Sequence, residues 1–384
     1  MKLAIVHDYL NQMGGAERVL LVLHEIFPNA PIYTSIYAPQ LVDPAFREMD
    51  IRTSFMQRLP LVHTHHQAFL PIFPFAFESL DLREYDVVLS MSSGWAKNVL
   101  TRPETCHICY CLTPMRFAWN FREYVYGERI SGWQMGALSP ILSGLRLWDV
   151  AGANRVDAFA AISLGVKRRI EKYYRRPATV IYPPVQTATY ACEPRARQAG
   201  AGVGTGTEDG DYFLIAGRLI PYKRLDLAIQ ACNRLKARLV VIGSGRDRAR
   251  LEAMAGPTIE FLGAVDDQTK REYLRGCRAF IFPGEEDFGI APVEAMAAGR
   301  PVVAYGAGGA LDTIVDGVTG VFFRQPEETA LATALQRSST TDWDRETIAR
   351  HASRFDVHTF KTQLRRFVEA KAGEHRATMA AALK

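Results

Sequence analysis

Apolar segments of strand length alternate with helical patterns along almost the whole chain, and this alternation limits the fold more than any other feature of the sequence. The first segment, Leu3 to His7, is followed by a Gly14-Gly15 turn and by a helical pattern from Ala16 to Phe27. Further strand-like segments of the first half lie at 85–91, 106–111, 158–163 and 178–187. Strands that alternate with helices are typical of parallel sheets, so we predict an α/β fold.

A stretch rich in glycine, alanine and threonine, QAGAGVGTGTEDG at 198–210, interrupts the alternation near the middle of the chain. The strand pattern before it ends in a pair of prolines, and a new series of strands and helices follows it. Because such a break marks a linker, we predict domains at 1–185 and 186–355 and a closing helical segment at 356–384. A chain of 384 residues is long enough for two domains with separate cores.

The overall composition, with 48% hydrophobic and 23% charged residues, is that of a globular protein. The six cysteines show no disulfide framework, and the first residues form a strand pattern rather than a signal peptide, so we expect a cytoplasmic protein. The segment CHICYC at 106–111 alternates like a strand, and no second Cys/His pair at zinc-finger spacing follows it. A buried strand is therefore favoured over a metal site. A net charge of +5 gives no indication of a nucleic-acid partner.

The segment from Ile51 to Phe77 contains no acidic residue and combines basic side chains with five phenylalanines. Three prolines interrupt it, which excludes a membrane-spanning helix. Two interpretations remain open. In the first, the segment lies on an anionic membrane surface, where basic and aromatic side chains such as Arg58 and Phe73 contact the headgroups. In the second, it is a loop that packs on its own domain.

Two glutamates, Glu286 and Glu294, flank a strand-to-helix junction with seven residues between them. The apolar run at 278–283 predicts a buried strand and the segment 291–299 predicts a helix, which places Glu286 in the loop and Glu294 in the first helical turn. A single glutamate in a first turn usually caps the helix or interacts with its dipole. The second carboxylate, together with Gly289, which allows close backbone approach, favours a ligand rich in hydroxyl groups.

Candidate phosphate-binding groups follow the first strand of each half. The backbone N–H groups of Gly14 and Gly15 open a helix and are suited to phosphate oxygens. In the second half, Arg218 and Lys223 supply two cations for a diphosphate, with surface salt bridges as the alternative. A GAGG turn at 306–309 offers another close approach of the backbone. Together with the two glutamates, these groups indicate a nucleotide-sugar site.

These motifs resemble the retaining glycosyltransferases of family GT4, which have the GT-B fold and a pair of glutamates with the same spacing. The likeness extends over most of the chain and includes GRLIPYKRLD, FLGAVDD and GGALDTIVDGVTGVFF in the second half. Similarity to bacterial O-antigen and exopolysaccharide mannosyltransferases is carried by HDYLNQMGGAERVL, YCLTPMRFAWN and VIYPPV. The resemblance implies two Rossmann-like, doubly wound domains that face a central cleft, the first for the acceptor and the second for the nucleotide sugar. It also implies a C-terminal helix that crosses back to the first domain.

The resemblance further implies roles for individual residues. Glu294 would accept hydrogen bonds from the ribose, and Glu286 would accept them from the donor hexose. Arg218 and Lys223 would hold the diphosphate, so these two cations and Glu286 are the implied catalytic residues. The main chain at Val265 would contact the base. The implied donor-binding set is Gly14, Gly15, Arg218, Lys223, Val265, Glu286, Gly289, Ile290, Ala291 and Glu294.

Leu112 departs from the family pattern, because many relatives have a histidine there that contacts the donor sugar. Thr113 and Arg116 are the neighbours that would replace this histidine, and they are the implied acceptor-side residues. The departure leaves three outcomes open: substitution by a neighbour, lower activity, or a different donor preference.

The function implied by the resemblance is that of a retaining hexosyltransferase that requires no metal and no other cofactor. We expect it to transfer mannose from GDP-mannose to a lipid-linked saccharide in lipopolysaccharide or exopolysaccharide synthesis, as a peripheral protein on the inner face of the cytoplasmic membrane. The alternatives are another UDP- or GDP-linked donor, a catalytically weak nucleotide-sugar-binding protein, and a nucleotide-sugar epimerase. The sequence does not determine the oligomeric state.

Overall fold

The computed structural model describes residues 1–121, 132–191 and 210–382. These residues form two compact units. The first unit contains the described residues up to Pro184 together with those from His358 onward, and the second unit contains the described residues of Val185–Val357. Apart from its last residue, the predicted linker at 198–210 lies outside the described part of the chain.

The described part of the first unit contains one parallel sheet with the strand order β3-β2-β1-β4-β5-β6-β7. Its strands are β1 (Leu3–His7), β2 (Ile32–Thr34), β3 (Ile51–Thr53), β4 (Val87–Ser92), β5 (Cys106–Cys111), β6 (Ala158–Ala161) and β7 (Ala178–Val180). Every residue of β4 and β5 is buried, as expected for central strands of a parallel sheet. The prediction of a buried strand at CHICYC is thus confirmed. β2 and β3 were not predicted.

In the described part of the first unit, the α-helices before its last strand are α1 (Gly15–Ile26), α2 (Val62–His65), α3 (Phe73–Glu78), α4 (Arg116–Trp119), α5 (Gly132–Ala153) and α6 (Leu164–Tyr174). The short helices α2 and α3 fall in the acid-free segment from Ile51 to Phe77. Phe73 is 1% exposed and stacks on Trp95 with ring centroids 4.5 Å apart. Phe73 was therefore wrong as a membrane-contacting residue, because it belongs to the core of its own unit.

The described part of the second unit contains a second parallel sheet with the order β10-β9-β8-β11-β12-β13. Its strands are β8 (Tyr212–Ala216), β9 (Arg238–Ile242), β10 (Ile259–Gly263), β11 (Ala279–Phe282), β12 (Val302–Tyr305) and β13 (Gly320–Phe323). Its helices are α7 (Thr187–Tyr190), α8 (Leu225–Leu235), α9 (Arg248–Met254), α10 (Asp267–Gly276), α11 (Ile290–Ala297), α12 (Ala310–Thr313), α13 (Glu328–Thr340) and α14 (Arg345–Ala352). The predicted α/β alternation is confirmed in both units, while β13 was not predicted.

The C-terminal helix α15 (Val357–Ala382) packs on the first unit. Its buried residues recur every four positions, as Phe360, Leu364, Val368 and Ala372, and therefore form one stripe along the helix. The Phe360 ring meets the ring of Tyr110 on β5 edge to face at 5.6 Å. The predicted return of the C-terminal helix to the first domain is confirmed by these contacts. No helix in the described ranges has both the length and the hydropathy needed to span a bilayer.

In both sheets the strand order has a switch point beside the first strand, where successive strands stop adding on one side and continue on the other. The first sheet grows from β1 through β2 to β3 on one side and then from β4 onward on the other side. The second sheet does the same with β8, β9 and β10 on one side and β11 onward on the other. Ligands of doubly wound sheets bind beyond the carboxyl ends of the strands at such a reversal. The topology therefore marks the β1/β4 end and the β8/β11 end as candidate ligand-binding edges.

Candidate functional site

The β8/β11 edge of the second unit brings together three of the predicted residues. Arg218 and Lys223 follow β8, and Glu286 follows β11, which is the neighbour of β8 in the sheet. The ammonium of Lys223 lies 2.8 Å from Oε1 of Glu286, and both side chains are about one fifth exposed. Arg218 is exposed, and within the described residues no hydrogen bond or ion pair engages its guanidinium. The edge thus carries a paired cation and an available one.

Two glycines allow the loops of this edge to pack against each other. A Cβ at position 284 would lie 2.7 Å from the Cα of Lys223, closer than any side chain tolerates. Gly289 has a φ of +90°, which favours glycine, and a Cβ there would lie 2.7 Å from the Phe282 ring. The loops after β8 and β11 are therefore fixed in close contact, which positions Lys223 beside Glu286.

Glu294 lies on α11, which begins at Ile290, so that Glu294 is in the second helical turn. The predicted segment 291–299 placed it in the first turn, whereas the helix begins one residue earlier, so Glu294 lies at the start of the second turn. The carboxylate is buried, with 3% exposure, and Oε1 accepts a hydrogen bond of 2.9 Å from the Tyr190 hydroxyl. Its other oxygen, Oε2, is paired with the ammonium of Lys270.

Tyr190 and Lys270 were missed by sequence reasoning. Tyr190 is 104 positions away from Glu294 in the chain, and Lys270 is 24 positions away. The Lys270 ammonium also lies 5.7 Å from the centre of the Tyr190 ring, within the range of a cation–π contact. Their contacts with Glu294 depend on how α7, α10 and α11 pack together, and no local sequence pattern reports that packing.

The remaining donor-side candidates lie around the same edge. Ile290 and Ala291 are the first two residues of α11, where backbone N–H groups have no acceptor within the helix. Val265 is half-buried in the loop between β10 and α10. In the predicted GAGG turn after β12, the backbone N–H of Gly309 donates to the carbonyl oxygen of Glu286 over 2.8 Å. This turn therefore supports the loop that carries Glu286.

The β1/β4 edge of the first unit carries Gly14 and Gly15 ahead of α1. The N–H of Gly14 donates to Oε2 of Glu17 over 2.7 Å, so a phosphate at Gly14 would have to replace this carboxylate. Glu17 is buried, which by itself raises its pKa, but the contacts with His7 and the bond from Gly14 bring the pKa below its usual range. Gly15 is the first residue of α1 and is exposed.

The predicted acceptor-side residues lie after β5 in the same unit. The Thr113 hydroxyl is buried and accepts a hydrogen bond of 3.0 Å from Arg169. Arg116 is the first residue of α4 and is half-buried, and Leu112 follows β5 directly. Thr113 is thus held by a cation of α6.

Comparison with known proteins agrees with this geometry. Residues 204–354 match the family model of glycosyl transferases group 1, and this range contains all donor-side candidates of the second unit. A phosphatidyl-myo-inositol mannosyltransferase of Mycobacterium leprae is 36% identical over 143 residues, which are 35% of this chain and 38% of that protein. A GDP-mannose-dependent alpha-mannosyltransferase of Mycobacterium tuberculosis is 40% identical over 106 residues, or 27% of this chain and 28% of that protein. The match spans less than half of each relative.

A structural comparison covers nearly the whole chain. The crystal structure of HepE from Anabaena in complex with UDP-glucose aligns with a TM-score of 0.68 at 19% identity, over 96% of this chain and 100% of that one. Together with the two Rossmann-like units and the returning C-terminal helix, this likeness shows that the chain has the GT-B fold. Its second unit is the part similar to group 1 glycosyltransferases.

Proposed function

We propose that this protein is a retaining glycosyltransferase that transfers mannose from GDP-mannose to a lipid-linked saccharide in cell-surface polysaccharide synthesis. The observation that carries the proposal is the β8/β11 edge, where Lys223 and Glu286 form an ion pair of 2.8 Å and where the exposed Arg218 follows β8. This edge combines cations for a diphosphate with a carboxylate for sugar hydroxyls. The mannosyltransferase relatives support the choice of sugar.

The ion pair is compatible with phosphate binding. An ammonium has three donors, so Lys223 is able to bind a phosphate oxygen while it keeps its bond to Glu286. Arg218 offers a planar fork of donors that matches two phosphate oxygens. The buried carboxylate of Glu294, which contacts the Tyr190 hydroxyl and the Lys270 ammonium, is the group proposed to accept hydrogen bonds from the ribose hydroxyls. The two cations proposed for the diphosphate and the glutamate proposed for the ribose therefore all belong to the second unit.

The reaction breaks the bond between the anomeric carbon and the diphosphate, and negative charge develops on the leaving phosphate. Fixed cations such as Lys223 and Arg218 stabilise this charge most strongly in the transition state. The departing phosphate accepts the proton of the acceptor hydroxyl on the same face of the sugar, so the configuration is retained. This step involves no metal ion, and we expect equal rates with and without added Mg²⁺.

The test is sugar transfer from GDP-mannose to a panel of lipid-linked acceptors. We expect Glu286→Gln to lower kcat by about 100-fold, since a group that acts in the transition state is typically worth that much. Glu285→Gln is the matched control, because Glu285 is the exposed neighbour on the same loop. Full activity of Glu286→Gln would disprove the role of the edge, and an inverted product anomer would disprove retention.

An exposed apolar surface in the first unit supports a peripheral membrane location. Leu61, Phe75 and Phe55 are 71%, 68% and 45% exposed within the acid-free segment, and the exposed Arg58 lies among them. Such a combination suits an anionic membrane surface. We expect Leu61→Asp/Phe75→Asp to abolish co-sedimentation with phosphatidylglycerol vesicles, whereas Leu311→Asp in the second unit leaves it unchanged. Equal sedimentation of both variants would exclude this surface.

A second experiment tests which nucleotide base the sugar donor carries. The relative from Mycobacterium tuberculosis is named as GDP-mannose-dependent, whereas HepE was crystallised with UDP-glucose. A thermal-shift comparison of GDP, UDP and ADP distinguishes them, because only a ligand that prefers the folded state raises the melting midpoint. A UDP-linked donor is the alternative function, and tight binding of GDP without transfer would indicate a binding protein.

A further inference from the structure

Three side chains with metal-binding atoms converge in the first unit. Cys106 is the first residue of β5, Asp157 directly precedes β6, and His375 lies on α15. Their sulfur, carboxylate oxygen and imidazole nitrogen all lie within 4.8 Å of one another. We propose that Cys106, Asp157 and His375 form a binding site for a divalent transition metal ion of the zinc class.

The hydrogen bond on the far side of the His375 ring fixes the nitrogen that would bind the metal. Nε2 lies 3.0 Å from the carbonyl oxygen of Pro103, and only a protonated nitrogen can donate to a carbonyl. In the neutral ring Nδ1 then carries the lone pair, and Nδ1 is the nitrogen 3.8 Å from Oδ1 of Asp157. Metal-binding histidines almost always donate their other N–H group to a carbonyl or carboxylate in this way.

The carboxylate of Asp157 is oriented in the same manner. Its Oδ2 accepts a hydrogen bond of 2.7 Å from the backbone N–H of His107, which leaves Oδ1 directed at His375. A backbone bond of this kind holds a ligand oxygen in place before the metal arrives. Two of the three ligands are thus positioned by contacts outside the cluster.

The electrostatic surroundings favour a cation. The Cys106 side chain is buried, and the carboxylates of Asp157 and Glu374 place negative charge near it. A divalent ion is bound by the thiolate, so the thiol proton is released to solvent when the metal binds. Sulfur, imidazole nitrogen and carboxylate oxygen form a ligand set typical of zinc, with a fourth position left for water.

The position of the site indicates a structural role. Cys106 and Asp157 lie at the amino ends of their strands, whereas the predicted ligand-binding residues of this unit follow the carboxyl ends. His375 comes from the helix that returns from the end of the chain. A bound metal would therefore fasten α15 to β5 and β6 without taking part in sugar transfer, and the inference does not depend on the proposed function.

The test uses the untagged full-length protein, dialysed against a chelator and titrated with Co²⁺. We expect one equivalent to bind per chain and to give the charge-transfer absorption of a thiolate-bound ion, which surface histidines cannot produce. Cys106→Ser should abolish this absorption and His375→Ala should weaken or abolish it. Cys109→Ser, on the same strand, is the matched control and should keep it.

Circular dichroism of each metal-free variant separates loss of the site from loss of the fold. If Cys106→Ser does not fold, Asp157→Asn, whose side chain is 40% exposed, replaces it in the comparison. Zn²⁺ should displace Co²⁺ and raise the melting midpoint of the wild type but not of folded site variants. Absence of charge-transfer absorption in the wild type, or its persistence in Cys106→Ser, would overturn the proposal.

Discussion

The carboxyl ends of the two sheets have the same strand topology, yet they use their acidic side chains differently. At the β1/β4 edge, Asp8 is 1% exposed and accepts hydrogen bonds from the backbone N–H groups of Ser93, Trp95 and Ala96 at 2.6–3.0 Å. At the β8/β11 edge, the partly exposed Glu286 is paired with Lys223 instead. The acid of the first edge binds backbone donors of the loop after β4, whereas that of the second edge is paired with a cation of the loop after β8.

This difference shows that topology alone does not identify a binding site. A reversal of strand order creates a crevice at both edges. At the first edge, backbone donors already saturate Asp8, and Glu17 occupies the N–H of Gly14. At the second edge, Arg218 is exposed and Lys223 retains donors for a further partner. Accounting for the hydrogen bonds therefore favours the second unit as the phosphate-binding one.

The largest expected effect concerns the buried acid of the second unit. Lys270→Met removes the cation that is paired with the buried carboxylate of Glu294. We expect this unit to lose roughly 3 kcal/mol of stability. Hydrogen exchange of peptides from β11 and α11 measures the loss within this unit. Adding Glu294→Gln to Lys270→Met should recover part of the lost stability, because the buried charge is then removed. Unchanged hydrogen-exchange protection in Lys270→Met would contradict a stabilising role of the Lys270–Glu294 ion pair.

The matching experiment in the first unit is Asp8→Asn. Oδ1 accepts from Trp95 and Ala96 and Oδ2 accepts from Ser93, so the NH₂ group of the amide faces either that pair of N–H groups or the N–H of Ser93, which then lose their acceptor. We expect a loss of about 2 kcal/mol, seen as faster hydrogen exchange in peptides from β4 and the loop after it. GDP affinity should remain that of the wild type. If Asp8→Asn had normal stability but weakened GDP affinity, the β1/β4 edge rather than the β8/β11 edge would be the one that binds the nucleotide.

Acid sensitivity should be a property of the first unit. Burial, with smaller contributions from Lys97 and Arg155, lowers the pKa of His107 to about 3. Below about pH 6.5, the usual pKa of a histidine, His107 is protonated in the unfolded chain but not in the folded one. The free energy of unfolding therefore falls as the pH decreases from 6.5 towards 3. The expected loss from this group is about 2 kcal/mol between pH 6.5 and pH 5. His107→Gln should remove this part of the pH dependence, and an identical pH profile would contradict it.

A smaller effect is expected for the exposed cation of the second edge. Arg218→Ala should weaken GDP binding about 10-fold at low salt, since a charge-assisted bond to phosphate contributes roughly 1.5–3 kcal/mol. The difference should shrink as the ionic strength increases. Arg234→Ala is the matched control, because this exposed arginine lies near the end of α8, at the other edge of the sheet. Equal affinities of the two variants in calorimetric titration would exclude Arg218.

The sequence was sufficient to predict those parts of the fold that depend on local pattern. Long apolar strands such as β4, β5 and β11 were predicted because buried parallel strands consist of continuous apolar runs. The C-terminal helix was predicted together with its return to the first unit. The strands β2, β3 and β13 were missed.

The partners of the functional side chains were the part that the sequence could not supply. Glu294 was recognised from its spacing to Glu286, but its contacts with Tyr190 and Lys270 arise from helices that are distant in the chain. The same is true of His375, which meets Cys106 only because α15 packs on the first sheet. A motif reports which residues are present, whereas the charge balance around them depends on tertiary packing.

The most direct measurement of the central claim is a calorimetric titration of the wild type and of Arg218→Ala/Lys223→Met with GDP and UDP. The nucleotide that binds the wild type more tightly is the one to compare. If the β8/β11 edge holds the diphosphate, the double variant should bind it at least about 100-fold more weakly, which corresponds to about 2.7 kcal/mol. An affinity equal to that of the wild type, in a variant with unchanged circular dichroism, would contradict the account.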